Sequence, residues 1–102
     1  MEVLAINSQI DDFLLHLDVA TEAKAFRALD FLRKYGYRLG MPCSKSLGDG
    51  MFELRTSGKM KIRMIYCFHK GNAYLLHAFM KKTNRIPQKE LDIATSRRDL
   101  LV

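Results

Sequence analysis

The stretch GDGMFELRTSGKMKIRMIYCFHKGNAYLLHAFM, residues 48–80, decides the fold. Gly48-Asp49-Gly50 is a turn signal, and Met51 to Thr56 then alternates, with Phe52 and Leu54 pointing one way and Glu53 and Arg55 the other. Ser57-Gly58-Lys59 turns the chain. From Lys61 to His69 the alternation resumes: Ile62, Met64, Tyr66 and Phe68 share one face, and Lys61, Arg63, Ile65 and Cys67 share the other. Lys70-Gly71-Asn72 is a second turn, and Ala73 to Met80 is a third strand. Short turns between successive strands predict antiparallel neighbours, hence a three-stranded meander.

Working outward, the preceding half reads as helical. Asn7 or Ser8 is an N-cap for a helix through Ile10, Phe13, Leu14 and Leu17. Thr21 with Glu22 starts a second helix whose apolar stripe is Ala25, Phe26, Leu29, Phe31 and Leu32, and Gly36 follows as its C′ residue. Lys24, Arg27, Asp30, Arg33 and Lys34 occupy its other faces. Beyond the meander, Pro87 at N1 opens a final helix through Leu91, Ala94 and Leu100. The predicted class is α+β: two N-terminal helices packed on a small antiparallel sheet, then a C-terminal helix.

The chain has 102 residues, 48% apolar and 27% charged, which is the composition and size of one soluble domain spanning residues 1–102. No apolar run approaches the roughly 20 residues that a membrane span needs. Met1-Glu2-Val3-Leu4 has no basic region and predicts no secretory signal. Cys43 and Cys67 are too few for a disulfide scaffold and lack metal-finger spacing, so a reduced, cytoplasmic protein with both thiols as packing residues is expected.

Charge is distributed unevenly. Residues 1–54 hold six basic and eight acidic residues, a balance of −2, and residues 55–102 hold eleven and three, a balance of +8. Between Glu53 and Glu90 there is no acid, while Arg55, Lys59, Lys61, Arg63, Lys70, Lys81, Lys82, Arg85 and Lys89 fall there. Such a field attracts polyanions, whereas a basic face serving solubility alone is the competing reading. Strand periodicity gathers Arg55, Lys61 and Arg63 around Glu53 on one sheet face, with Lys81-Lys82 leaving the third strand beside them. Like charges opposite each other destabilise a sheet, and an anion filling the cluster relieves this; arginine forks suit phosphate oxygens. Arg55 and Arg63 are expected to project from a solvent-facing surface. His77 is either a half-buried histidine bonded to a neighbour or a cleft histidine that titrates or stacks on a base. Tyr66 and Phe79 are either stacking platforms or core.

The segment has neither a glycine-rich phosphate loop nor a helix with paired metal ligands, and carboxylates to hold a metal are nearly missing from the basic half. A phosphodiester cut here is therefore expected to need no metal or other cofactor. RNA's own 2′-OH would attack, and the cationic cleft would stabilise the developing charge.

Three segments carry a family resemblance. Leu47-Gly48-Asp49-Gly50-Met51-Phe52-Glu53-Leu54-Arg55 is similar to the "L-x-D-G-l-y/w-E-L-R" segment of HigB-like toxins, in the phage-derived branch of the RelE superfamily. Arg63-Met64-Ile65-Tyr66 resembles the family's "R-v-l-Y/F" strand. Leu75 to Thr83, then Pro87, Glu90 and Ala94, resemble its "L-L-H-g-F-x-K-K-T…P…E-i-x-x-A" ending. The resemblance covers about residues 7–98. It implies two helices on a twisted antiparallel sheet with a C-terminal helix, and an extra N-terminal strand for which Val3 to Ile6 is the candidate. It further implies a type II toxin that cuts mRNA on the ribosome and is paired with a helix-turn-helix antitoxin. The matching site positions are Arg55, Arg63, Lys81 and Lys82. Joined with the charge pattern, this makes Arg55, Arg63, Lys81, Lys82 and His77 the candidate catalytic residues, and Lys59, Lys61 and Arg85 the candidate RNA contacts. The family's pre-arginine lysines are replaced by Glu53, and no tyrosine follows Tyr74, so no general base is assigned. The related ParE branch shares the fold and inhibits gyrase, and a basic adaptor that binds RNA without cutting it is a third reading.

Overall fold

The computed structural model describes residues 1–58 and 61–102. Five strands form one mixed sheet: β1 Val3–Ala5, β2 Ser44–Gly48, β3 Met51–Arg55, β4 Ile62–His69 and β5 Asn72–Met80, in the spatial order β1-β5-β4-β3-β2. Helices α1 (Ser8–Leu15) and α2 (Val19–Tyr35) precede β2, and α3 (Gln88–Arg98) follows β5.

The meander expected from residues 48–80 is present as β3, β4 and β5, antiparallel throughout. Two edges extend it. Val3–Ala5 pairs in parallel with Ala73–Leu75, and Ser44–Gly48 pairs antiparallel with β3. The sheet is therefore mixed rather than antiparallel. β2 escapes notice in the sequence because Ser44-Lys45-Ser46-Leu47-Gly48 is polar and bulged at Leu47, where the register shifts between Ser46 and Gly48. Polar, bulged edges of this kind resist pairing with other chains. Gly48, Asp49 and Gly50 all have positive φ, and this tight left-handed run lets β2 and β3 form a hairpin.

The sheet has a different core on each face. Leu54, Met64, Tyr66, Ala73, Leu75 and Ala78 pack against Ile10 and Leu14 of α1 and Ala25, Ala28, Leu29 and Leu32 of α2. Met51, Ile65, Cys67, Leu76 and Phe79 pack against Ala94 of α3, flanked by Leu91 and Ile86. Tyr66 and Phe79 are buried in these two cores, so neither is a platform for a base. Cys67 is buried and Cys43 half-buried, and both thiols are free.

Helix boundaries differ slightly from expectation. α2 begins two residues before Thr21, because Asp18 is the cap: its carboxylate accepts from Thr21 N at 3.2 Å and from Thr21 Oγ1. α1 stops at Leu15, before Leu17. Pro87 is the N-cap of α3 rather than its first helical residue, and its carbonyl accepts from Glu90 N at 3.0 Å. No helix among the described residues is long and apolar enough to cross a membrane.

Candidate functional site

Glu53 is the centre of the site. Its side chain rises from the middle of β3 on the face opposite the helical hairpin, and the residue is only 1% exposed. An isolated carboxylate would not be ionised there without partners, and three cations supply them. Arg55 Nε donates to Glu53 Oε1 at 2.8 Å, while Arg63 Nε and Lys81 Nζ each lie 3.8 Å from Oε2. Pairing of β3 with β4 sets Arg55 directly opposite Arg63, and Glu53 offsets their repulsion from one step along the strand.

The expectation that Arg55 and Arg63 both project into solvent is overturned for Arg63, which is 8% exposed. Its Nη1 donates to Ile62 O at 2.9 Å and Thr56 O at 3.2 Å. Burial pushes the Arg63 pKa down and the Arg55 charge adds to that, while Glu53 pulls it back up. The guanidinium remains charged all the same, since arginine starts far above neutrality. Two members of the cluster have unfilled hydrogen-bonding capacity: Glu53 Oε2 and Arg63 Nε are buried without a hydrogen-bond partner among the described residues.

Lys81 reaches this face because of a defect in β5. The register shifts between Ile65/His77 and Tyr66/Leu75, which leaves Leu76 as an extra residue. Leu75 packs with the helical hairpin, and strict alternation would send Phe79 and Lys81 the same way. Instead Leu76 and Phe79 both belong to the core under α3. The bulge turns everything after it to the cation face. Arg97 of α3 donates to Leu76 O at 2.9 Å, satisfying the carbonyl at the bulge.

A cavity of about 290 Å³ opens above the cluster, lined by Lys45, Glu53, Arg55, Lys81, Arg85 and the apolar side chains of Leu47, Ile86 and Leu91, with Asn84 at its rim. Arg55, Lys81 and Arg85 are thus brought together, with Arg63 buried behind them. Lys82 and Lys61 are exposed and outside the lining; Lys61 O accepts from Lys81 N at 2.8 Å, prolonging the ladder. Lys59 lies outside the described residues. His77 is held elsewhere. Its Nε2 meets Glu90 Oε1 at 3.2 Å, its Nδ1 lies 3.4 Å from Arg97 Nη1, and its ring stacks on Phe79 at 5.4 Å. It is a half-buried histidine bonded to neighbours on α3. Sequence reasoning missed Lys45, because the strand that carries it was not foreseen.

Among the described residues no group of three His, Cys, Asp or Glu side chains is close enough to hold a metal ion. What the cluster can do is bind an anion and stabilise negative charge developing on it.

Residues 12–99 match the model of the family described as Phage derived protein Gp49-like (DUF891). The chain belongs to this phage-derived Gp49-like family, which is a RelE-toxin-like family. A search of curated proteins returned no match.

Proposed function

We propose that the chain is the toxin of a type II toxin–antitoxin pair, a HigB-like endoribonuclease that cuts mRNA on the ribosome in the cytoplasm. The observation that carries this reading is the cleft itself: Arg55, Lys81, Arg85 and Lys45 converge on one cavity whose only carboxylate, Glu53, is already engaged by cations. Arg55 offers its guanidinium to the scissile phosphate in a fixed orientation set by its bond to Glu53. Lys81 neutralises the phosphate as the 2′-OH attacks phosphorus and the 5′-oxygen leaves. Arg63 acts from behind, holding Glu53 and the end of β4 in place. The partner is a helix-turn-helix antitoxin that presents acidic residues to this basic face.

The test is a map of mRNA 5′ ends after induction, in wild type and in an Arg55→Ala variant whose fold is checked by circular dichroism. New 5′ ends inside coding regions, lost in the variant, support the reading. Intact messages accompanied by DNA damage would assign the chain to gyrase inhibition instead. Loss of one electrostatic contact to a reacting phosphate lowers the rate by on the order of a hundredfold.

A further inference from the structure

A second and larger cavity, about 570 Å³, lies on the other side of Arg55, between α2 and the ends of β3 and β4. Its size falls within the ~300–1,000 Å³ of small-ligand sites. Lys24 and Arg27 of α2 line it together with Arg55 and Arg63, and it contains no acidic side chain. Among the described residues neither Lys24 nor Arg27 is paired with an acid. Both are nevertheless positioned. Lys24 Nζ fills the space that a Cβ on Gly58 would need, where Gly58 has a φ of +105°. The Arg27 guanidinium lies over the Phe31 ring, 5.5 Å from its centroid. Phe31 and Pro42 supply an apolar wall.

We propose that this cavity is a subsite for a neighbouring nucleotide of the same single-stranded RNA whose scissile phosphate occupies the Glu53 cleft; the inference rests on the ribonuclease reading. Arg55 lines both cavities, so a strand leaving one passes directly into the other. Lys24 and Arg27 hold the backbone phosphate, and the Phe31–Pro42 wall takes the flat face of the base. Two cations without acidic neighbours, beside an aromatic ring and joined to a phosphate cleft, match the combination of charge and stacking by which single strands are bound.

The test uses the full chain and non-cleavable 2′-O-methyl RNA from two to eight nucleotides, with binding followed by fluorescence anisotropy over a salt series. Wild type is compared with Lys24→Ala/Arg27→Ala and with Lys45→Ala/Arg85→Ala, which alters only the Glu53 cleft. Both α2 residues are exposed and alanine favours helix, so the first variant keeps its fold. Wild-type affinity should rise with length once the strand reaches both cavities. Lys24→Ala/Arg27→Ala should lose that rise, about tenfold on the eight-mer and nothing on the shortest oligonucleotide that binds. Its plot of log affinity against log salt should be shallower by about 1.4, at roughly 0.7 per phosphate contact. Equal affinity and slope in wild type and this variant would overturn the subsite and leave the ribonuclease reading standing. Loss of affinity for the antitoxin with RNA affinity unchanged would also overturn it, by making the cavity a protein-docking site. Failure of wild type to bind any of these RNAs, or to cut on the ribosome, would remove the ribonuclease reading and the subsite with it.

Discussion

Glu53 and Arg63 form the least replaceable pair in the molecule. Removing one partner of a buried ion pair costs about 3–5 kcal/mol, because the other charge stays behind without compensation. Glu53→Leu leaves Arg63 and Lys81 facing each other beside Arg55, so we expect a loss of about 3 kcal/mol in denaturant unfolding. Adding Arg63→Met should restore a large part of that loss, since apolar replacement of a whole buried pair is often neutral. A double variant no more stable than Glu53→Leu would show that Arg63 and Glu53 do not depend on each other. Arg63→Ala alone is for the same reason a poor probe of activity: it abolishes growth inhibition by loosening the fold. Exposed Arg85 and Lys45 give the cleaner experiment. Arg85→Ala/Lys45→Ala should lower toxicity with the melting temperature within a few degrees of wild type, as surface substitutions usually change stability by less than about 0.5 kcal/mol. Unchanged toxicity in that variant would take the 290 Å³ cavity out of the mechanism.

Strands β2 and β5 are the elements whose details exceed what alternation predicts. Ser44 of β2 is buried, and its hydroxyl bonds the Tyr66 hydroxyl of β4 at 2.6 Å across the intervening β3. Burial raises the Tyr66 pKa above its ordinary 10.0, and the Ser44 bond pulls partly the other way. A raised pKa means that the folded state holds the proton more tightly than the unfolded one. The contribution is therefore complete below about pH 10 and is lost as the pH rises through the folded value. Cys67, likewise raised by burial from 9.0, acts in the same direction and begins about one pH unit earlier. Tyr66→Phe should flatten the alkaline fall in stability while costing about 1–2 kcal/mol at neutral pH, because the Ser44 hydroxyl loses its partner. An alkaline limb identical in wild type and Tyr66→Phe/Cys67→Ala would contradict this assignment. In β5 the bulge at Leu76 sets the phase of everything after it. Deleting Leu76 would turn Phe79 and Lys81 to the hairpin face, so the deletion should be insoluble or inactive. The three meander strands, both helices of the hairpin and the α3 segment were legible because their apolar spacing is regular. Bulges are invisible to periodicity, since a strand read at strict period 2 has no place for an extra residue. The parallel β1 was expected only through the family resemblance, its three residues being too few to carry a pattern. Arg55, Arg63 and Lys81 were legible as a cluster because they share a face. The burial of Arg63 was not, because it depends on how Glu53, Thr56 and Ile62 close around it.

Across the whole molecule, the acid-free run between Glu53 and Glu90 folds so that its cations and those of α2 surround Arg55 from two sides. That distribution constrains the chemistry of any cleavage. The cleft holds one carboxylate, and a two-metal site needs several oxygen ligands held a few ångströms apart. RNA cleavage should therefore proceed in EDTA, with the ribosome kept intact by polyamines. Without a metal-bound hydroxide, the nucleophile is the 2′-OH next to the scissile phosphate, already positioned by the strand itself. The products should carry a 2′,3′-cyclic phosphate or a 3′-phosphate together with a 5′-hydroxyl. A message with a single 2′-deoxy or 2′-O-methyl nucleotide at the cut site should resist, while the same change one nucleotide away should be tolerated. End-group analysis by ligation and mass spectrometry separates the cases. A 3′-hydroxyl end, or efficient cutting at the 2′-deoxy position, would make water the nucleophile. The cation cleft would then serve to bind RNA rather than to cut it in the way proposed.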